Sequence, residues 1–374
     1  MELTDEQAAV RDVVREFARE EIRPTALEAD RSQEFPEDVW DGLAELDLTS
    51  LTVPEAYGGY DADPVTAAVV NEEVAYGALA VATALSVHSL ATSCIAEFGS
   101  EDLKGRWLPD MADGRPVGAF ALSEPHAGSN PAEMSTEASR EGDEYVINGE
   151  KQWITNGKRA GVYVLFAKTD RDDPSTVTQF LVPGDVDGLS VGEKEDKLGL
   201  RASDTTSLTF DDVRIPAENR LTEEGRGLSA AFHILTGGRI AIAAQSVGLA
   251  QCAMDEALEY AGEREQFDQP IGEFQSIRHK LAEMATKVKA SRLLTREAAR
   301  ERAEGDAGLT ASMAKYFASQ TAMDVTNEAV QIHGGYGYVT EGEVERLYRD
   351  AKITEIYEGT TEIQKKVIAR HLLE

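Results

Sequence analysis

Apolar and polar positions along the 374-residue chain change their period twice. In the first third, apolar residues recur at the three- and four-residue spacing of helices with one buried face. Thr4 and Gln7 stand at capping-box spacing, and Val10, Val13, Val14 and Phe17 follow on one face. Pro36 opens a second helix through Val39, Trp40, Leu43 and Leu46, because the first turn tolerates a residue without an N–H. Turn residues make 53–60 a loop, Pro64 starts a third helix, and 78–98 is expected to be the most buried helix. A shorter helix runs from Ser100 to about Met111 and stops at Asp113-Gly114.

The middle of the chain alternates at the two-residue period of strands. Tyr145-Val146-Ile147 and Lys151-Gln152-Trp153-Ile154 flank Asn148-Gly149, which predicts a hairpin with a primed turn. Segments 162–167, 178–182 and 207–210 read as further strands, separated by Pro183-Gly184, Asp187-Gly188 and Ile215-Pro216. From Gly227 the helical period returns, over 228–260, 275–304, 309–332 and a last helix after Glu358. The fold expected is mostly α with a central antiparallel β domain. Its units are an N-terminal helical domain over 1–116, a β domain over 117–225 and a helical bundle over 226–374.

Charge narrows the partners. Against 37 Lys+Arg stand 68 Asp+Glu, a formal net charge of -31, spread along the chain in blocks such as Glu193-Lys194-Glu195-Asp196. Such a surface repels nucleic acid and anionic membrane. At about 1 M salt the screening length falls to ~3 Å and self-repulsion becomes tolerable, so a salt-rich, halophilic cytoplasm is expected. With only Cys94 and Cys252 there is no disulfide framework and no thiolate metal site. The start, Met1-Glu2-Leu3-Thr4-Asp5-Glu6, has no basic or apolar run of a secretory signal. Polar residues interrupt the apolar stretch 78–95, which reads as a core helix and not a membrane span.

Several chemistries drop out. Gly334-Gly335-Tyr336-Gly337 follows a helix, not a strand, so no dinucleotide fingerprint is present. The six histidines lack metal-ligand spacing, and no serine sits in a nucleophile elbow. Four stretches remain unusual. Glu358 lies between Tyr357 and Gly359 just before a helix whose Thr361 and Gln364 stand at capping-box spacing, so a carboxylate there is aimed by a rigid element. Loop 120–130 offers small and hydroxyl residues at the sheet edge. Trp153 and Thr155 are two apart, on one face of a strand. Glu263-Arg264-Glu265-Gln266-Phe267 puts a cation and an aromatic ring at a helix end. Singly, these are equally a helix-end charge, a solvated loop, a core tryptophan and a charged helix end.

In this order, and with Lys197-Leu198-Gly199-Leu200-Arg201-Ala202-Ser203 and Gln331-Ile332-His333-Gly334-Gly335, the chain resembles the acyl-CoA dehydrogenase family over essentially its whole length. The resemblance implies a C-terminal four-helix bundle, a homotetramer built as a dimer of dimers, and one FAD per subunit held without a Rossmann fold. It implies that Phe120, Leu122, Ser123, Trp153 and Thr155 line the flavin. Arg264, Gln266, Phe267, Gln275, Gln331 and Gly335 would hold the FAD pyrophosphate and adenosine, partly across a subunit interface. Thr360 and Glu362 match further FAD contacts. Ser129 matches a position near the CoA arm, and Arg239, Tyr357 and Gly359 fall on the substrate side. Glu358 matches the catalytic base. Phe120 stands where many members have tyrosine, His126 where glycine is frequent and Asn130 where aspartate is frequent. A minority of members place the base directly before an arginine on the first bundle helix, and here that position is Gly238, before Arg239.

The activity so implied is α,β-dehydrogenation of an acyl-CoA to a trans-2-enoyl-CoA, with electrons leaving to an electron-transfer flavoprotein. The likeness leans toward a short or branched acyl group. Three alternatives are an oxygen-using oxidase on the same scaffold, a decarboxylating glutaryl-CoA enzyme and a non-catalytic assembly protein. The decarboxylating activity uses an arginine near 84–88, where this chain offers only His88. Burial would raise the Glu358 pKa and the adjacent helix start would lower it.

Overall fold

The computed structural model describes residues 2–373, so the outermost bounds of the expected first and last units, Met1 and Glu374, lie outside the described residues. Six helices come first: α1 (Asp5–Phe17), α2 (Arg23–Ser32), α3 (Glu37–Glu45), α4 (Pro64–Gly77), α5 (Leu79–Phe98) and α6 (Glu101–Ala112). The starts are capped as the residue types dictate. Thr4 and Gln7 form the full capping box of α1. Asp63 Oδ1 accepts from the Val65 and Thr66 N–H groups at the head of α4, where Pro64 needs no partner. Ser100 caps α6. A single π-helical turn, Ala18–Ile22, joins α1 to α2, so the first helix continues well past the apolar face read from the sequence.

The sheet follows: β1 (Val117–Ala121), β2 (Glu137–Glu141), β3 (Glu144–Thr155), β4 (Ala160–Lys168), β5 (Val177–Pro183), β6 (Leu189–Val191) and β7 (Thr205–Pro216). Two expectations change here. The hairpin turn is not at Asn148-Gly149 but at Gly142, between β2 and β3, with φ 64°. Asn148 and Gly149 lie inside the continuous strand β3, at a register shift against β7. Gly149 has φ 149°, and a Cβ there would sit 2.6 Å from Thr136 Oγ1. Asn148 exchanges two hydrogen bonds with Asp212 of β7. The pair therefore serves a bulge and a close strand approach. The sheet is also mixed: four pairings are antiparallel, while β1 and β2 each pair β4 in parallel.

Helices resume with α7 (Gly227–Glu263), then a two-residue hairpin of β8 (Glu265–Gln266) and β9 (Gln269–Pro270), then α8 (Gln275–Glu304) and α9 (Gly308–His333). Two short helices, α10 (Glu343–Ala351) and α11 (Thr361–Leu373), pack on α9. The sequence reading missed α10, whose Val344, Leu347 and Ala351 are buried at helical spacing. One apolar core runs through α1–α5 and α7–α10, so the first and third helical units share an interior. A second core joins α5 and α6 to β4, β5 and α7, and a third fills the sheet. α5 is buried along nearly its whole length, as its composition requires. Cys94 and Cys252 are both buried free thiols.

Candidate active site

After α10 a 3-10 turn, Lys352–Glu355, delivers the chain to Glu358 at φ 53° and Gly359 at φ 91°. Glycine adopts that region freely, but a glutamate there costs about 1–2 kcal/mol and persists only where its surroundings enforce it. They do. Gln364 Nε2 donates to the Gly359 carbonyl at 2.8 Å and the Glu358 carbonyl at 3.3 Å. Lys315 Nζ, from α9, donates to the same Gly359 carbonyl at 2.7 Å. The cap of α11 is Thr360, not the expected Thr361: the Ile363 N–H donates to Thr360 Oγ1, while the Thr361 hydroxyl turns back to the Glu355 carbonyl. Gln364 is correspondingly spent on the turn instead of a capping box.

This turn points the Glu358 carboxylate at α7. A Cβ on Gly238 would lie 3.1 Å from Glu358 Oε2 and 3.4 Å from Leu90 Cδ2, so the two alternative base positions of the resemblance face one spot. Oε2 is buried and has no hydrogen-bond partner. Burial raises the Glu358 pKa, against the opposing charges of Lys315 and Arg239. Desolvation therefore outweighs those two charges. Arg239 Nε is likewise buried and unpartnered, and burial lowers the pKa of that guanidinium. The Tyr357 hydroxyl donates to Gln245 Oε1 at 3.3 Å and lies 3.4 Å from Thr83 Oγ1, which ties the turn to α7 and α5. Burial thus leaves this carboxyl more basic than an ordinary glutamate.

The sheet supplies a second group. Phe120, Leu122, Ser123 and Thr155 are half-buried, and Phe120 packs on Phe166 with ring centroids 4.8 Å apart. Trp153 is not a core residue: it is 60% exposed. Its φ of 63° and the register shift between Lys151 and Ile154 interrupt the pleat, so the simple one-face spacing with Thr155 does not apply. The loop after Leu122 is anchored by a pair the sequence reading did not single out. Buried Lys151 donates to Glu124 Oε1 at 2.9 Å and to the Leu122 carbonyl at 3.2 Å. Glu124 also accepts from the N–H and hydroxyl groups of Ser135 and Thr136. The sequence signal was a lysine at an inward position of an alternating strand. Ser129 is exposed farther along the loop.

A third group surrounds a cavity of about 630 Å³ lined by Arg264, Gln266, His333, Gly335 and Tyr336, among others. The Arg264 guanidinium lies over the Tyr336 ring, 5.7 Å from its centroid. Phe267 and Asp268, at φ 55° and 64°, form the primed tip of the β8–β9 hairpin, with Phe267 85% exposed. Gln275 and Gln331 are exposed and do not line the cavity. Thr360 and Glu362 belong to the Glu358 turn, where backbone N–H donation and the Thr360 hydroxyl lower the Glu362 pKa. Among the described residues, no hydrogen bond links the cavity group to the sheet group.

A helical, sheet and helical frame thus surrounds a carboxylate with one buried, unpartnered oxygen. Family models for the acyl-CoA dehydrogenase N-terminal, middle and C-terminal domains match residues 4–115, 119–213 and 225–373. The chain belongs to the acyl-CoA dehydrogenase family, and its relatives are oxidoreductases. It is 44% identical to the mitochondrial short-chain specific acyl-CoA dehydrogenase of Rattus norvegicus, covering 100% of this chain and 91% of that protein. It superposes on butyryl-CoA dehydrogenase from Megasphaera elsdenii with a TM-score of 0.97 and 40% identity, over 100% of both chains. A glutaryl-CoA dehydrogenase from Mycobacterium smegmatis, solved in complex with FADH2, aligns with a TM-score of 0.94 and 31% identity over 99% of this chain and 95% of that one.

Proposed function

We propose that the chain is an FAD-dependent acyl-CoA dehydrogenase in which Glu358 removes the α-proton of the thioester. The observation that carries this reading is the buried, unpartnered Oε2 of a carboxylate whose pKa burial has raised. Proton transfer to a positioned base needs both an oxygen not held by another side chain and the basicity. The Cα–H electrons and a departing β-hydride leave the carbons joined by a double bond, giving a trans-2-enoyl-CoA. FAD, when bound, supplies the two-electron acceptor for that hydride.

The residues present fit that cofactor. Exposed Trp153 and half-buried Phe120, Leu122, Ser123 and Thr155 offer an apolar wall and hydroxyls for a planar ring system. Arg264, Gln266 and Gly335 offer a cation, an amide and open backbone around one cavity for a pyrophosphate, and exposed Phe267, Gln275 and Gln331 are further candidates outside its lining. Thr360 and Glu362 join them from the turn. Ser129, Arg239, Tyr357 and Gly359 form the substrate side. Exposed Phe267, Tyr336 and Tyr338 around the cavity support coverage by another copy, in keeping with a homotetramer. A short acyl group, an electron-transfer flavoprotein as acceptor and a salt-rich cytoplasm complete the reading.

Fully buried His88 accepts from the Gly118 N–H at Nδ1 and contacts the Met111 carbonyl through Nε2, and burial lowers its pKa to about 4. It is neutral, so α5 offers no cation to a second carboxylate, which disfavours the decarboxylating alternative. The test is an anaerobic absorbance titration of purified protein with acyl-CoAs of graded length. A flavin spectrum that bleaches supports the reading and ranks the chain lengths. A flavin spectrum unmoved by every thioester overturns the substrate class. Rapid turnover in air without an added acceptor favours the oxidase.

A further inference from the structure

We propose that Lys315 is a positioning residue for the Glu358 base: its ammonium crosses from α9 to hold the Gly359 carbonyl and so fixes the left-handed turn that aims the carboxylate. The inference rests on Glu358 being the base. Lys315 is fully buried, on a stretch of α9 whose other inward residues are small: Ala311, Ser312, Ala314, Ala318 and Ser319. A lysine here is therefore not a space filler among equals. Its stem spans the gap that the alanines leave, and its single hydrogen bond, 2.7 Å to the Gly359 oxygen, lands on the residue directly after the base.

Two donors meet on that one carbonyl, and they differ in what they tie. Gln364 Nε2 comes from α11, five residues along the same chain segment, and moves with the turn. Lys315 comes from a long helix packed in the common core and fixes the turn to the body of the protein. Glu358 needs such a tie, because its backbone sits where a non-glycine residue is strained. Burying an ammonium with one carbonyl acceptor is unfavourable unless negative charge is near. The groups facing Lys315 are Glu358, Glu355 and Glu362 from the turn and α11, and Arg239 from α7, which in turn faces Arg370. Burial brings the Lys315 pKa down to about 8, with Glu358 opposing the shift. The lysine is thus also the largest counter-charge acting on the base.

Two substitutions separate the tie from the charge. Lys315→Met removes both; Lys315→Gln keeps a donor and removes the charge. Each is purified with FAD, and the rate of anaerobic flavin bleaching by a good acyl-CoA is followed from pH 6 to 9. Lys315→Met is expected to retain flavin and lose about a hundredfold in bleaching rate with KM changed only a few-fold, the scale of a misplaced reacting group. Lys315→Gln is expected to recover most of that rate. In both, the acid limb of the pH profile moves to higher pH, because a counter-charge that lowered the Glu358 pKa is gone. Lys315→Met at the wild-type rate with an unmoved acid limb overturns the proposal. So does a Lys315→Gln variant slowed about a hundredfold against wild type with an unmoved limb, and this arm stands even if Lys315→Met fails to fold. Glu358→Gln is run alongside: if that variant turns over normally, the base assignment itself fails, and if it is dead while Lys315→Met is normal, only the positioning role does.

Discussion

Two buried lysine and glutamate neighbourhoods in this chain look alike in composition and behave in opposite ways. In the sheet, Lys151 and Glu124 form a direct ion pair at 2.9 Å, and the same carboxylate accepts four further bonds from Ser135 and Thr136. At the turn, Lys315 donates to a carbonyl instead of a carboxylate, and Glu358 Oε2 is left with nothing. Burial pushes both carboxyl pKa values up. For Glu124, the Lys151 charge and the hydrogen bonds from Thr136, Lys151 and Ser135 outweigh that and bring it to about 2. For Glu358, the opposing charges do not outweigh it, and the pKa stays raised. A satisfied carboxylate is structural because it will not take a proton; an unsatisfied one is chemically useful because it will.

The comparison breaks most visibly at Glu358. Glu358→Gln keeps the shape and the turn's backbone bonds but removes the proton acceptor. Bound flavin is expected to remain, and anaerobic bleaching by acyl-CoA to slow by roughly a thousandfold or more, the upper range for loss of a general base. Bleaching within tenfold of wild type would place the base elsewhere. Gly238 is the neighbouring backbone position, but it carries no side chain.

At Lys151 the expected effect is on folding. Lys151→Met leaves Glu124 buried without its cation, and breaking one half of such a pair costs about 3–5 kcal/mol. The measurement is denaturant unfolding with flavin retention followed in parallel. The loop after Leu122 should loosen, because Lys151 also holds the Leu122 carbonyl. A loss below about 1 kcal/mol would mean that the hydroxyl and N–H donors suffice.

How far the sequence carried these readings differs between the two sites. Glu358, its flanking glycine and the helix beyond were legible because a short motif, a turn residue and a helical period coincide within a few positions. The left-handed backbone at Glu358 was not, since the groups that hold the turn, Gln364 on α11 and Lys315 on α9, are not marked as its partners by any motif. Lys151 was read as one residue of a hairpin strand, and its partner Glu124 as part of a loop. Only the folded sheet brings them together. The Asn148-Gly149 hairpin failed for a related reason: a dipeptide that permits positive φ serves a bulge as well as a turn, and Thr136 from another strand decides. α10 was missed because its apolar stripe is short and closely followed by the Glu358 segment.

A smaller, pH-dependent effect sharpens the contrast. The Glu124 pKa is lower folded, about 2, than the ordinary 4.5. Between those values the unfolded chain binds more protons, so stability present above about 4.5 is lost as pH falls toward 2. Glu124→Gln removes this contribution. Wild type is expected to lose stability more steeply than that variant between pH 5 and 3, read as the change of thermal midpoint with pH. Parallel slopes would show that Glu124 is not ionised by its surroundings as described.

The smallest effect concerns the surface, where pairing is incomplete in a different way. With 68 acidic residues against 37 basic, nearly half of the carboxylates cannot have a cation of their own. Exposed stretches such as Asp170, Asp172 and Asp173 show it locally. Salt weakens the surface pairs that do exist, such as Arg214 with Glu141 and Glu144, but exposed pairs of this kind contribute little. It also screens the repulsion among the unpaired carboxylates, whose range shrinks from about 10 Å at 0.1 M to about 3 Å at 1 M. The second effect involves more charges, so the thermal midpoint is expected to rise with KCl and level off near 1 M, by a few degrees. A midpoint that falls over that range would mean that the pairs dominate, and the case for a salt-rich cytoplasm would go with it. The Glu124 and Lys151 pair, sealed from solvent, should contribute equally at every salt concentration, so Lys151→Met should lower the curve without changing its slope.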